Sequence, residues 1–302
     1  MSRQRFGFGA GVAAYLLWGL LPLYWPLLEP ATAVEILAHR IVWSLVIVLA
    51  LLAVLHGLGW LRTLRRGQLG LLALASVLVA VNWATYIYGV NSERVVETSL
   101  GYFINPLVTV ALGVVVLGER LRPAQRWAVV VAAIAVVVLT VDYGRPPWIA
   151  LVLAFSWGFY GLVKKRADVD AVESLSIETA ILLLPAVAYL AVIGSDGSGT
   201  WTSEGAGHMA LLVGSGLATA IPLLFFGLAA VRIPLVTLGL LQYLAPTMQF
   251  LIGVLIYGEP MPASRLAGFA LVWVALVIFA TDGLRSARPR SLPEPVPAGV
   301  GG

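Results

Sequence analysis

The 302-residue chain contains no cysteine and only three histidines, and charged residues make up 11% of it. The absence of cysteine excludes disulfide bonds, thiol catalysis and cysteine-ligated metals. His39, His56 and His208 are too scattered for a metal-binding motif, and no Gly-x-x-x-x-Gly-Lys-[Ser/Thr] phosphate-binding loop is present. We therefore expect no metal, no cofactor and no ATP-driven activity from this chain alone.

The scarcity of charge is matched by an excess of apolar residues, which make up 60% of the chain. Soluble domains carry about 25% charged residues, and a soluble chain of this length could not bury so much apolar surface. A helix needs about 20 apolar residues to cross the hydrocarbon layer. Ten runs suited to this role cover residues 8–28, 34–55, 69–89, 96–117, 124–141, 148–164, 175–193, 209–230, 235–257 and 263–281. The sequence predicts an all-α integral membrane protein with ten transmembrane helices.

Both ends of the chain have distinctive sequence patterns. Arg3 and Arg5 precede the first apolar run, as in a signal peptide, and residues 31–33 resemble a cleavage site. Signal peptides have apolar cores of about 7–15 residues, so we expect this longer run to be retained as a span. The segment 285–302 has four prolines and no apolar period, which predicts a disordered tail.

Basic residues test the span count, because loops on the cytoplasmic side carry an excess of Lys and Arg. With the N-terminus placed inside, the inner segments hold 15 of the 19 Lys and Arg residues and the outer segments hold three. An added or missing span in the middle of the chain would destroy this division. The protein is predicted to lie in the cell membrane, with both termini in the cytoplasm. The basic clusters fit lipid headgroups rather than nucleic acid.

The second half of the chain repeats the first. Tryptophan recurs at an offset of 139 residues, at Trp18 and Trp157. At an offset of 140, Pro106, Gly113, Gly118, Glu119 and Asp142 match Pro246, Gly253, Gly258, Glu259 and Asp282. Chance similarity between apolar helices does not readily explain polar and proline matches kept in one order. Five spans per half would make the second half enter from the opposite side, as in many transporters. We predict two inverted five-helix repeats, 1–144 and 145–284, followed by the tail 285–302.

Several of these motifs resemble a known family. The paired Gly-Glu helix ends and the two sets of five spans resemble the EamA type of the drug/metabolite transporter superfamily. The segments Glu35-Ile-Leu-Ala-His-Arg40 and Gly101-Tyr-Phe-Ile-Asn-Pro106 resemble its RarD branch more specifically. The similarity extends over most of the chain, from about residue 7 to residue 282. It implies an inner-membrane permease and leaves the substrate open.

Two prolines lie near the middle of predicted spans, and each frees the carbonyl of the residue four positions earlier. Freed backbone groups at membrane depth are tolerated where they are buried in protein or line a cavity. Polar and aromatic residues at helical spacing extend this pattern on neighbouring spans. They form a candidate midplane cavity or, alternatively, polar contacts that hold helices together. The candidate residues are Trp18, Asn82, Tyr86, Tyr102, Asn105, Pro106, Trp157, Gln242, Pro246 and Gln249.

A second candidate group is charged. Arg40 lies about 9 Å into its span at 1.5 Å per residue, and a charge within the membrane needs a partner. Glu35, His39 and Glu97 lie near the same end, so the group is either a gate or a salt bridge that locks two spans while Arg40 reaches outward. By the same reasoning, Glu178 is expected to pair with Lys164 or Lys165. Glu119 and Glu259 are interpreted as helix-end anchors.

The function most consistent with these features is a secondary transporter, with export as the expected direction. Its expected partners are a small metabolite or drug-like solute and the lipid bilayer, and the sequence leaves open whether a coupling ion is a further partner. A channel or a structural membrane protein is the alternative. An enzyme is disfavoured, because the titratable residues are dispersed along the sequence.

Overall fold

The computed structural model describes residues 3–55, 65–117, 120–167, 169, 171–230, 232–233, 237–238 and 241–286. Within these ranges the regular structure is entirely helical. The principal helices are α1 (Arg3–Leu20), α2 (Ala33–Leu55), α3 (Arg66–Asn91), α4 (Val95–Leu117), α5 (Pro123–Tyr143), α6 (Trp148–Ala167), α7 (Ala171–Ser195), α8 (Gly205–Ala230), α9 (Leu244–Leu251) and α10 (Ala263–Ser286). Glu119 and most of the predicted tail lie outside the described residues.

The length of the helices agrees with the membrane prediction. In the described ranges, eight helices are long and apolar enough to cross a bilayer. Two shorter apolar helices cover Trp148–Lys164 and Leu244–Ile256. The all-helical membrane class is therefore confirmed, whereas the count of ten spans stays a prediction.

The first predicted span is not one continuous α-helix. The α-helix ends at Leu20, and two 3₁₀ turns follow at Leu21–Leu23 and Trp25–Leu28. Pro22 and Pro26 explain this change, because proline cannot donate the backbone hydrogen bond that an α-helix requires. The two 3₁₀ turns matter for the site, because they place the buried ring of Trp25 within the bundle.

The ninth predicted span is also interrupted. Gln242 and Tyr243 form a turn, α9 begins at Leu244, and the chain is π-helical over Ile252–Ile256. Pro246 therefore lies in the first turn of a helix, where its missing N–H is tolerated, and not in the middle of one. By contrast, Pro106 lies inside the continuous helix α4. The two matched prolines have different local structures.

Helices of each half pack against helices of the other half, and equivalent helices make equivalent contacts. Helix α6 packs against α3 and α4, and its counterpart α1 packs against α8 and α9. Helix α2 packs against α8, and α7 packs against α3. The pairs α2–α7, α4–α9 and α5–α10 each join one helix to its counterpart. The two halves thus share one extended interface.

Two salt bridges join the ends of α5 and α10. Arg122 at the start of α5 contacts Asp282 near the end of α10, with 2.7 Å between Nη2 and Oδ2. Arg265 near the start of α10 contacts Asp142 near the end of α5, with 2.8 Å between Nε and Oδ2. Because each helix start meets the other helix end, α5 and α10 are antiparallel.

Close contact between α4 and α6 depends on Gly101. A Cβ atom there would lie 2.8 Å from both the carbonyl oxygen of Ala150 and Cβ of Leu153. Gly101→Ala should therefore lower the free energy of unfolding by about 1–3 kcal/mol, as overpacking typically does. Thermal unfolding of the purified protein measures this effect. Gly161→Ala on α6 is the control, because a Cβ there meets nothing within 4 Å. Equal changes in Tm for both variants would contradict the packing argument.

Candidate functional site

The amide of Asn82 lies at the junction of α3, α4 and α6. Its Nδ2 donates to the carbonyl oxygen of Leu153 and to Oγ of Ser156, each at 3.0 Å. Its Oδ1 accepts a hydrogen bond from the hydroxyl of Tyr102 at 3.2 Å. The ring of Tyr102 in turn meets the ring of Tyr86 edge to face, with 5.7 Å between centroids. Asn82 therefore holds three helices together in addition to facing the aromatic pair.

Asn105 forms a similar contact one turn further along α4. Its Nδ2 donates to the carbonyl oxygen of Ala154 at 3.2 Å, and Pro106 beside it is buried. Both predicted amides of the first half thus bind carbonyl groups of α6. Hydrogen bonds of this kind contribute about 1 kcal/mol each and leave an unsatisfied carbonyl when they are lost.

Trp157 lies on the same face of α6 as these contacts. It follows Ala150 and Leu153 at positions i+7 and i+4, and both of those residues lie against Gly101 of α4. Although Trp157 is on this inward face, 38% of its surface is exposed. Its ring packs against the ring of Tyr160, with 5.3 Å between centroids.

A second cluster joins α1, α8 and α9. The buried side chain of Gln249 donates through Nε2 to the carbonyl oxygen of Trp18 at 3.3 Å. The indole of Trp18 packs against Phe226 of α8, with 5.8 Å between ring centroids. Gln242 lies half-buried at the turn before α9, and Pro246 is buried one turn later. This cluster occupies the helices that correspond to those of the first cluster.

The predicted cavity residues are thus divided between two equivalent junctions. The α3–α4–α6 junction contains Asn82, Tyr86, Tyr102, Asn105, Pro106 and Trp157, and the α1–α8–α9 junction contains Trp18, Gln242, Pro246 and Gln249. Two open grooves of about 340 and 290 Å³ lie elsewhere, one between α4, α9 and α10 and the other between α1 and α8. Neither groove is lined by a residue of the predicted set.

Arg40 is buried between aromatic rings and does not reach outward. Only 4% of its surface is exposed, and its Nε donates to Oγ1 of Thr219 on α8 at 2.7 Å. Its guanidinium carbon lies 3.9 Å from the ring centroid of Trp83 and 5.3 Å from that of Trp25. The predicted salt bridge of Arg40 to Glu97 is therefore wrong. Cation–π contacts, worth about 2 kcal/mol when desolvated, take its place.

Glu97 has a different basic partner. Its carboxylate binds both terminal nitrogens of Arg145, at 2.7 and 3.3 Å, and accepts from the backbone N–H of Ile149 at 3.1 Å. The α5–α6 loop brings Arg145 to the start of α4, whereas Arg40 lies deeper on α2. Hydrogen bonding to Glu97 raises the pKa of Arg145. In the sequence, Arg145 stands out only as one of the three Lys and Arg residues of the predicted outer segments.

Glu35 and His39 are linked to the loop between α7 and α8. Glu35 accepts from the backbone N–H of Thr200 at 2.7 Å and from its hydroxyl at 2.9 Å. The same hydroxyl lies 2.8 Å from Nε2 of His208. The ring of His39 stacks on Trp201, with 4.9 Å between centroids. The loop is rich in Gly and Ser, yet its Thr200 and Trp201 pack against α2, and no sequence signal identifies these two residues.

Glu178 forms the predicted ion pair at the other end of the bundle. Its carboxylate lies 2.9 Å from Nζ of Lys164 and accepts from the hydroxyl of Tyr160 at 3.0 Å. Ser174 Oγ donates to the same carboxylate at 2.6 Å. The predicted pairing with Lys164 is thus confirmed, and it joins α6 to α7.

Glu259 is more than an anchor, because it caps another helix. Its carboxylate accepts from the backbone N–H groups of Val95 and Val96, at the start of α4. Burial raises the pKa of Glu259 to about 7, although the two amides and Arg265 favour the charged form and Glu97 disfavours it further. The carboxyl group is therefore poised to change charge near neutral pH. This contact joins the two halves of the chain.

Known proteins provide an independent comparison. The EamA-like transporter family matches the chain twice, over residues 5–141 and 146–281. Protein RarD of Streptomyces exfoliatus is 59% identical over 290 residues, which cover 95% of this chain and 92% of that protein. Protein RarD of Escherichia coli is 41% identical, covering 96% and 99% of the two chains. An uncharacterized transporter of Bacillus subtilis, YojE, is 43% identical, covering 88% and 90%.

A solved crystal structure shares the fold. Its TM-score is 0.59 at 21% sequence identity, and the match covers 95% of this chain and 100% of the other. The shared fold thus extends over nearly the whole chain, although the sequences have diverged widely.

Proposed function

Because the chain belongs to the EamA-like transporter family, we propose that it is a secondary transporter that exports a small metabolite or drug-like solute. Access to the solute site alternates between the two sides of the membrane as the two halves rock against each other. The site lies near the midplane, at the two equivalent helix junctions. The cell membrane is the proposed location, with both termini in the cytoplasm, as the distribution of Lys and Arg favours.

The observation that carries this proposal is the helix packing, in which contacts between helices of the two halves recur between the counterparts of those helices. Three counterpart pairs are in contact, α2–α7, α4–α9 and α5–α10, and the two salt bridges between α5 and α10 make that pair antiparallel. The double match to one family supports two repeats, 1–144 and 145–284. Inverted repeats around a central site are the usual basis of alternating access in secondary transporters.

The name of one relative suggests which class of solute to test first. A relative from Pseudomonas aeruginosa, 31% identical over 93% of this chain and 95% of that protein, is called chloramphenicol-sensitive protein RarD. Purified protein in proteoliposomes should move a solute with saturable kinetics and respond to an imposed ion gradient. A non-saturable flux that ignores every gradient would contradict the transporter proposal. Single-channel currents would support a channel instead.

Two site variants test the proposed cavity. Asn105→Leu and Gln242→Leu should each abolish transport while protein abundance stays near normal. Each change removes an amide at one of the two equivalent junctions, and Asn105 also loses its bond to Ala154. Transport by proteoliposomes and protein level in membranes measure the two effects. Ser198→Ala in the exposed loop is the control. Normal transport by both leucine variants would refute the cavity assignment.

A further inference from the structure

We propose that Arg40 recognises an anionic group of the transported solute, such as a carboxylate. The inference rests on the proposed function and names the chemical class of the solute. Among the described residues, Arg40 is the only Lys or Arg side chain that is buried. Its Nη1 is buried and has no hydrogen-bond partner in the described part of the chain. A guanidinium group held in this way can still donate to an incoming acceptor.

The side chains around Arg40 also offer donors. The indole Nε1 of Trp25, whose ring contacts the guanidinium, is buried and unpartnered within the described ranges. The hydroxyl of Tyr86 is likewise buried without a partner there, and Tyr86 belongs to the same buried cluster as Trp25 and Trp83. Arg40 and two aromatic side chains of its surroundings thus each carry an unsatisfied donor, and an oxyanion is an acceptor that can satisfy more than one donor.

The buried carboxylates of the described chain do not supply this acceptor. Glu35 binds Thr200, Glu97 binds Arg145, and Glu178 binds Lys164. Each of these groups has its own partner on another segment. The positive charge of Arg40 is therefore balanced by aromatic rings alone in this part of the molecule, and a charge at membrane depth without a counterion indicates a function.

The aromatic side chains around Arg40 indicate the chemical character of the rest of the solute. Trp83 and Trp25 contact the guanidinium, and Tyr102 packs against the cluster to which both tryptophans belong. A small organic anion with an apolar or aromatic body fits this environment, because its carboxylate meets Arg40 while its body packs on the rings. Arg40 is enclosed in the described conformation, so the solute enters when α2 and α8 separate. The proposed rocking of the two halves provides this movement.

The first test needs no ligand. Arg40→Met removes a buried charge and keeps much of the side-chain volume, so the purified full-length protein should have an unchanged or higher Tm in neutral detergent. Arg145→Met is the matched control, and it should lower Tm because it leaves Glu97 buried and unpaired. If Arg40→Met lowers Tm as much as Arg145→Met does, Arg40 has a structural role and the proposal is overturned.

The second test uses paired probes of one shape. Benzoate should raise the Tm of the wild-type protein saturably, and benzamide, which lacks the charge, should not. Binding of benzoate should weaken at least tenfold in Arg40→Met and recover partly in Arg40→Lys. Chloride and phosphate are run separately to identify a site for inorganic ions. Stabilisation by chloride or phosphate without an effect of benzoate overturns the proposal, as does an equal benzoate response in Arg40→Met.

These results separate the two proposals. Benzoate binding that depends on Arg40, in a protein that moves no solute, would preserve the anion site and refute the transporter. Transport at the wild-type rate in Arg40→Met would preserve the transporter and refute the role of Arg40 in solute recognition.

Discussion

Oxidation of a variant that carries both Val96→Cys and Gly253→Cys should reduce transport to background, and a reductant should restore it. A side-chain carbon at Gly253 would lie 2.8 Å from Cγ2 of Val96, which is close enough for a disulfide after small adjustments. The new bond would join α4 in the first half to the end of the ninth span in the second. Because the chain contains no cysteine, no other disulfide can form within it. Solute flux into proteoliposomes, before and after reduction, is the measurement.

A disulfide within one half provides the matched control. A side-chain carbon at Gly89 on α3 would lie 2.4 Å from Cγ2 of Thr98 on α4, so Gly89→Cys with Thr98→Cys joins two helices of the first half. This second variant should oxidise and still transport, because rocking moves the halves as units. If the protein bridged between Val96 and Gly253 transports at the wild-type rate, the halves do not separate at that end and rocking is wrong.

The sequence predicted those features that the membrane imposes on any chain. Lipid cannot hydrogen-bond to backbone groups, so long apolar runs must form helices, and the helices follow most of the predicted limits. The repeat was also informative about particular side chains. Asp142 and Asp282 were matched only by their spacing, and the structure shows that both pair with an arginine at the start of the counterpart helix.

Contacts between distant segments could not be predicted in this way. Arg40 binds Thr219, which lies 179 residues away, and Glu35 binds Thr200, which lies 165 residues away. The sequence does not indicate the partner of either threonine, because both are small polar residues whose role depends on which helices become neighbours. The hydrophobic pattern specifies that a helix is buried in lipid, but it does not specify the neighbour.

The break before α9 shows a second limit. Pro106 and Pro246 occupy equivalent positions, and their sequence contexts gave the same prediction of a kink in a continuous span. Proline removes one hydrogen bond in either case, but the buried packing of α4 against α6 preserves the helix around Pro106. The chain before Pro246 instead turns at Gln242. Tertiary contacts, rather than the local sequence, decide between these outcomes.

The contact between Glu259 and α4 couples this interface to pH. In its ionised form the carboxylate caps the start of α4, where the helix dipole and free N–H groups favour a negative charge. Arg265 supports the charge, whereas Glu97 opposes it and burial opposes it most, which gives a pKa of about 7. Because burial is the largest of these effects, the closed contact favours the protonated carboxyl group, and ionisation above about pH 7 weakens the contact.

Separation of the halves would return Glu259 to water and its pKa towards 4.5, so transport should decrease about tenfold as the pH falls from 8 to 6, with its onset near pH 7, and Glu259→Gln should remove this dependence. The stability of the fold should follow the same group. Because the folded pKa lies above the usual value of 4.5, the folded chain retains a proton that the unfolded chain has lost between these values. The free energy of unfolding, relative to Glu259→Gln, should therefore fall as the pH rises from 4.5 to 7 and stay level above 7.

Solute flux and Tm, measured across this pH range for the wild type and its variants, test whether Glu259 causes the pH dependence. His208→Gln is the matched control, because His208 contacts Thr200 and thereby Glu35 at another link between the halves. If the pH profile persists in Glu259→Gln and disappears in His208→Gln, the titrating group lies beside α2 and not at the start of α4. If the profile disappears in Glu259→Gln alone, a proton at Glu259 controls how readily the second half releases α4. Protonation would then be linked directly to the separation that alternating access requires.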